Sequence, residues 1–321
     1  MSGETSMGGK VCMVTGATAG IGEVTARELA RRGAVVIVVG RSQRRCGATA
    51  EAIRRQTGNA AVEFLRADLS SQAEVRRLAR EFLQRYERLD VLVNNAGALF
   101  AQRRESIDGL EMTLALNHLA YFLLTNLLLN TLKASTPSRV VNVSSDAHQI
   151  VKGFDFDDPQ ARARRRGLRA YGRSKFTGLL FTLLAPRAHP AFVQYAQSKL
   201  ANLLFTYELA RRLEGTGVTA NALHPGFVAS NFTAGNGVFG WFLRRWAGLL
   251  AVSVEEGAKT PIYLATAPEV AGVTGHYFVK QKPAPSSAAS RDEAAARRLW
   301  KLSEELTGVP PMVRDETRSC R

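Results

Sequence analysis

The chain is 321 residues long, carries 43 Lys and Arg against 28 Asp and Glu for a formal charge of +15, and contains 3 Cys. That length lies near the size at which a single core stops growing, and no Ser/Gly/Pro-rich linker cuts the chain, so one domain is expected rather than two. No apolar run reaches the roughly 18 residues of a membrane span, Met1 to Gly9 lacks the basic start and apolar centre of a signal peptide, and Cys12, Cys46 and Cys320 have no metal-ligand spacing, which points to a reducing, cytoplasmic compartment and to no metal site.

The first elements in chain order are an apolar strand from Val11, a glycine-spaced turn, and a helix from Glu23 to Arg32. Gly16 permits a tight turn, Gly20 lets backbone approach a ligand, and Gly22 lets the helix pack on the strand, while the helix N-terminus offers unpaired N–H groups to negative charge. A pyrophosphate suits that arrangement, and a dinucleotide is its natural guest. Ala34 to Gly40 reads as a second buried strand, followed by strand Ala61 to Ala67, helix Ser71 to Tyr86, strand Leu89 to Val93, helix Glu111 to Leu132 and strand Arg139 to Val143. Strands alternating with helices imply a doubly wound, Rossmann-like α/β fold, a parallel sheet covered on both faces.

Three clusters sit where such a sheet gathers its ligands. Asn94-Asn95-Ala96-Gly97 follows the fourth strand as a small-residue turn, Ser144-Ser145 ends the fifth, and Tyr-x-x-Ser-Lys opens a long helix. A Tyr and a Lys four apart share one helical face. A cation about 4 Å from a phenol, at an effective dielectric of about 20, stabilises phenolate by roughly 4 kcal/mol at most. That brings a phenol with an ordinary pKa of about 10 toward neutral-pH proton exchange with a carbonyl or alcohol oxygen.

Thr-Gly-x-x-x-Gly-x-Gly, Asn-Asn-Ala-Gly, Tyr-x-x-x-Lys and His224-Pro225-Gly226, in that order, resemble the short-chain dehydrogenase/reductase family. Leu116-Asn117-His118, Leu200 to Phe205 and Ala294 to Trp300 resemble its retinol dehydrogenase branch. The likeness spans about Lys10 to Thr307, leaving a polar tail at 1–9 and another at 308–321. It implies that Ser145 orients the substrate oxygen, that the tyrosine is the acid/base, that the lysine lowers its pKa and binds the nicotinamide ribose, and that Asn117 supports a water relay. It further implies cofactor contacts from Gly16, Thr18, Gly20, Ile21, Gly22, Asn95, Ala96, Gly97, Pro225, Gly226 and Val228, with Asp68 and Leu69 beside the adenine. His118, His148 and His224 show no clear partners in the sequence.

The chain departs from the family pattern in carrying Tyr-x-x-Ser-Lys twice, at Tyr171 to Lys175 and Tyr195 to Lys199, each followed by Leu-Leu-Phe-Thr. Counting from Ser145 favours Tyr171; counting back from His224-Pro225-Gly226 favours Tyr195. The first copy meets Pro186 and Pro190, and a proline inside a helix costs about 3 kcal/mol. Tyr195 and Lys199 are therefore expected to be the working pair, with an insertion at about 171–194, although Tyr171 and Lys175 remain the alternative.

Arg41 stands where an acidic residue would favour NAD, with Arg44 and Arg45 beyond, so NADP(H) is the expected cofactor and carbonyl reduction the expected direction. A substrate loop at about 230–253 holds the apolar stretch Val238 to Leu250, suited to a hydrophobic carbonyl or alcohol, retinal-like or lipid-derived. Arg244 and Arg245 beside Trp241 and Trp246 allow weak peripheral membrane contact. The basic run Arg162, Arg164, Arg165, Arg166, Arg169, Arg173 and Lys175 has no nucleic-acid motif or interleaved aromatics, so no nucleic-acid partner is expected. Monomer and homodimer both stay open. The rival function is an NADP-binding regulatory or scaffold protein disabled by the insertion.

Overall fold

The computed structural model describes residues 5–162, 190–228 and 252–311. Tyr171, Lys175, most of the expected insertion, the basic run beyond Arg162, the stretch Val238 to Leu250, and Cys320 lie outside the described residues.

The chain runs β1 (Val11–Thr15), α1 (Gly20–Arg31), β2 (Val35–Gly40), α2 (Gln43–Thr57), β3 (Val62–Arg66), α3 (Gln72–Arg85) and β4 (Val91–Asn94). After β5 (Ser138–Val143) come α7 (Pro190–Arg212), β6 (Val218–His224), α8 (Val254–Thr266), β7 (Tyr277–Val279), β8 (Lys282–Pro283) and α9 (Glu293–Thr307). The strands form one sheet in the order β3-β2-β1-β4-β5-β6-β7-β8. β1 pairs in parallel with both β2 and β4, so the chain winds outward to one side of β1 and then returns to the other. A crevice opens at that reversal, beyond the carboxyl ends of β1 and β4, where open α/β sheets take their ligands.

The alternation of each strand splits the core into two layers. Met13, Ile37, Leu92 and Val140 face Leu78 and Phe82 of α3, Phe205 of α7 and Trp300 of α9. Cys12, Val14, Val36, Val38 and Val93 face Leu29 of α1, Ile53 of α2 and Leu264 of α8. Ser42 and Ser71 cap α2 and α3 by accepting from the amides three residues on. Among the described residues no helix is long and apolar enough to cross a membrane.

Two expectations are corrected. Gly20, Ile21 and Gly22 form the first turn of α1 rather than preceding it. The helix expected from Glu111 to Leu132 is segmented into α4 (Met112–Leu114), a π-helical turn at Ala115–Leu119, α5 (Ala120–Leu127) and α6 (Leu129–Ala134). Glu111 lies outside it as the cap, its carboxylate accepting from the amides of Thr113 and Leu114. α7 is described from Pro190, so residues 190–194 of the expected insertion are helical and continuous with Tyr195. The sheet is the expected doubly wound parallel one, with the two-residue β8 added antiparallel to β7 at the far edge.

Candidate active site

The glycine turn is built around Thr15. Its hydroxyl donates to the Val93 carbonyl at 3.2 Å and accepts the amides of Asn95 at 2.8 Å and Ala96 at 3.1 Å. The Asn95 side chain in turn donates to the Thr15 carbonyl at 2.8 Å. The two turns, Gly16 to Gly20 and Asn95 to Gly97, are thus joined back to back. Gly16 and Gly20 have φ of +66° and +60°, in the left-handed region. A Cβ at Gly22 would fall 2.4 Å from Asn95 Nδ2, so its need is for space. Ala19, ahead of α1, makes no side-chain capping bond, which leaves the first amides of the helix directed into the crevice.

At the neighbouring strand end, Thr18 lies over Gly40, where a Cβ would meet Thr18 Cγ2 at 2.7 Å. The exposed Arg45 guanidinium donates to the Thr18 carbonyl at 3.1 Å, and Arg41 is exposed beside it. Asp68 accepts from the amide and hydroxyl of Ser70, while Leu69 packs into the core. Ile21 reaches the third wall. A Cβ at Gly257 in α8 would meet Val228 Cγ2 at 2.5 Å, the Pro225 carbonyl at 3.2 Å and Ile21 Cγ1 at 3.3 Å. The glycine turn and the Pro225-Gly226 loop therefore meet at Gly257.

Lys199 and Asn117 close on Gly97, with Tyr195 on the same helix as Lys199 and Ser145 hydrogen-bonded to Tyr195. Ser145 lies two residues past β5 in extended backbone and caps the turn that follows, its hydroxyl accepting from the Ala147 amide and hydrogen-bonded to Tyr195. The Lys199 ammonium, one turn along α7, donates to the Val143 carbonyl at 3.0 Å. A Cβ on Gly97 would stand 3.7 Å from Lys199 Nζ and 3.3 Å from Asn117 Oδ1. The Asn117 amide clamps the Ala98 peptide from both sides, accepting its N–H at 2.9 Å and donating to its carbonyl at 3.0 Å, and also donates to Ser198 Oγ. The π-helical turn widens the helix at Asn117, the kind of bulge that serves functional sites.

Burial governs the electrostatics. It pushes Lys199 down to about 7 from an ordinary 10.5, and raises the Tyr195 phenol well above its ordinary value, with the Ser145 hydrogen bond acting in the opposite direction. Burial thus acts against the lowering that the family resemblance implies for the phenol, while the Ser145 hydrogen bond acts with it. Neutral phenol is the form that can donate a proton.

Residues to which the sequence assigns no role complete the site. The Asn94 amide donates to Thr125 Oγ1 at 3.0 Å and Asn142 Oδ1 at 2.9 Å, and Asn142 donates to Thr206 Oγ1 at 3.0 Å, a buried polar ladder joining β4, β5 and α7. The three histidines without sequence partners all have them: His118 lies against Asn202 and Ser303, His148 donates Nδ1–H to the Ser145 carbonyl, and His224 meets Asp146. Thr15 and Asn94 had a local signal, as the residues opening the glycine motif and the Asn-Asn-Ala-Gly motif.

A family model described as short chain dehydrogenase matches residues 10–154. Human retinol dehydrogenase 13 is 43% identical over 317 residues, covering 96% of this chain and 88% of that protein. Human retinol dehydrogenase 14 is 40% identical, covering 94% and 88%. Among solved structures, an uncharacterized protein from Mycobacterium paratuberculosis aligns with TM-score 0.70 and 33% identity over 95% of this chain and 96% of its own. The Pseudomonas aeruginosa RhlG/NADP active-site complex aligns with TM-score 0.63 and 27% identity over 87% and 97%. The glycine turn at the strand reversal and this similarity along nearly the whole length lead to one conclusion: the chain belongs to the short-chain dehydrogenase/reductase family, in its retinol dehydrogenase-like branch, and is an oxidoreductase acting on CH–OH donors.

Proposed function

We propose that the chain interconverts a hydrophobic carbonyl compound and its alcohol with NADP(H), chiefly as a carbonyl reductase, using Ser145, Tyr195, Lys199 and Asn117. The observation that carries this reading is the hydrogen bond between the Ser145 and Tyr195 hydroxyls beside a buried Lys199 and Gly97. When bound, the nicotinamide supplies hydride to the carbonyl carbon. Tyr195 donates its phenolic proton to the carbonyl oxygen, Ser145 hydrogen-bonds that same oxygen, and the Lys199 ammonium stabilises the phenolate left behind. Asn117 keeps the turn at Ala98 in place and supports reprotonation behind the lysine.

The crevice fits a dinucleotide: left-handed glycines at Gly16 and Gly20, an uncapped α1 N-terminus, and no room at Gly22 for any side chain. Thr18, Ile21, Asn95 and Ala96 would line the phosphates and ribose, Asp68 and Leu69 the adenine, and Pro225, Gly226 and Val228 the nicotinamide amide. Arg41 is suited to a 2′-phosphate, which favours NADP(H), the cofactor named for the Pseudomonas relative. Around Tyr195 stand Leu99, Ala147, Ile150, Val151 and Phe192, an apolar wall. That wall suits a retinal-like or lipid-derived aldehyde, in keeping with relatives named for retinol.

The test is NADPH titration followed by NADPH oxidation with a series of aliphatic aldehydes and retinal. Turnover that improves with chain length supports the proposal. Tight NADPH binding with no turnover on any carbonyl overturns it in favour of a non-catalytic NADP-binding protein.

A further inference from the structure

Asp146, which follows Ser145, makes three contacts to two neighbouring strands. Its carboxylate accepts the Tyr277 hydroxyl on β7 at 2.6 Å, and its other oxygen lies 3.3 Å from His224 Nε2 at the end of β6. Its backbone amide donates to His224 Nδ1 at 3.3 Å. Because Nδ1 accepts, the proton of a neutral His224 sits on Nε2 and points at the carboxylate, so one imidazole reads both the backbone and the side chain of Asp146. His148 holds the preceding carbonyl: its Nδ1–H donates to Ser145 O at 2.7 Å, its Nε2 accepts the Ser287 amide at 3.1 Å, and its ring meets Tyr277 edge-on at 5.2 Å.

We propose that Asp146 is a positioning residue for hydride transfer, fixing the Ser145 hydroxyl relative to the Pro225-Gly226 loop by tying the end of β5 to His224 and Tyr277. This rests on the functional reading above. Asp146 touches no reacting atom. It acts because Ser145 is its neighbour on one side of the site while Pro225 follows His224 on the other, with Gly226 at φ +89°. Three side chains, Asp146, His224 and Tyr277, thereby set the separation between the group that steadies the substrate oxygen and the loop that would hold the nicotinamide amide.

The experiment compares Asp146→Ala, Asp146→Asn and Tyr277→Phe, alone and combined, in kcat and KM with NADPH and a hydrophobic aldehyde, with thermal melting alongside. Asp146→Ala is expected to lower kcat about 10- to 100-fold while KM for NADPH changes less than about threefold. Asp146→Asn, which still accepts from Tyr277, recovers part of that loss. Tyr277→Phe lowers kcat alone but adds nothing in the Asp146→Ala background, the signature of a shared contact. Variants that melt earlier yet keep full kcat, or losses that simply add, overturn the positioning role while leaving the enzyme reading intact. Should Asp146→Ala not fold, Tyr277→Phe and Asp146→Asn decide alone: unchanged kcat in both overturns the proposal. A wild-type chain without turnover overturns the functional reading and the positioning role together.

Discussion

Lys199 Nζ lies 5.5 Å from the centroid of the Tyr195 ring while its own hydrogen bond goes to the Val143 carbonyl at 3.0 Å. The lysine is thus beside the phenol but buried, and burial holds it at about 7. Below that pH the ammonium is present; above it the charge is lost. Carbonyl reduction is expected to be level in acid and to fall up to about tenfold per pH unit above the break. Lys199→Arg, whose charge persists throughout, should flatten the profile even at reduced kcat. The same depressed pKa costs stability at low pH, where native and unfolded lysine are both protonated. That cost is recovered as pH rises from about 7 toward the ordinary 10.5, because only the unfolded chain then holds the proton. Lys199→Met should therefore raise the melting temperature more at pH 6 than at pH 9; an equal effect at both would refute the buried-charge account.

The duplicated motif is separable by single substitutions. Tyr195→Phe should lower kcat by at least about 100-fold with KM for NADPH little changed, since the phenol's proton is needed only in the reaction. Tyr171→Phe should keep kcat within about twofold. A loss confined to Tyr171→Phe would move the acid to the first copy.

Much of the sheet was legible because its strands are buried runs of Val, Ile and Leu closed by glycine or polar turns, and their ends fall within two residues of expectation. The long helix was misread as unbroken because a π-helical turn at Asn117 answers to the Ala98 peptide, a tertiary partner 19 residues away. Periodicity carries no trace of it. The histidine partners were equally hidden: His118 meets Ser303 across 185 positions, and His224 meets Asp146 across 78. Of the site, the glycines, Asn95 and Ser145 could be read as motifs, whereas the Asn94–Asn142 ladder and Gly257 exist only once β4, β5 and α8 are side by side.

Arg41 offers a test of nucleotide choice. A charge-assisted contact to a 2′-phosphate is worth about 1.5–3 kcal/mol, so Arg41→Ala should weaken NADPH about 10- to 100-fold and leave NADH nearly unchanged. Fluorescence titration with both nucleotides checks this. Equal loss for the two would mean that Arg41 serves the strand end and not the phosphate. Arg45, already bonded to the Thr18 carbonyl, should affect both nucleotides alike when replaced by Met, because it steadies the turn they share.

Two glycines separate the need for space from the need for conformation. Gly58 closes α2 with φ +70° and nothing within 4 Å of a Cβ, so Gly58→Ala meets only backbone strain, about 1 kcal/mol, and NADPH affinity should not change. At Gly22 φ is ordinary but a methyl would lie 2.4 Å from Asn95 Nδ2 and 2.6 Å from the Gly16 carbonyl. Neither can retreat freely, because Asn95 is bonded to the Thr15 carbonyl and Gly16 opens the turn. Overpacking at such a site costs about 1–3 kcal/mol and displaces the groups concerned. Gly22→Ala is therefore expected to lose both thermal stability and NADPH binding, whereas Gly58→Ala loses stability alone. If chemical denaturation and nucleotide titration showed the two variants behaving alike, the close approach of Asn95 to Gly22 would not be what bars a side chain there.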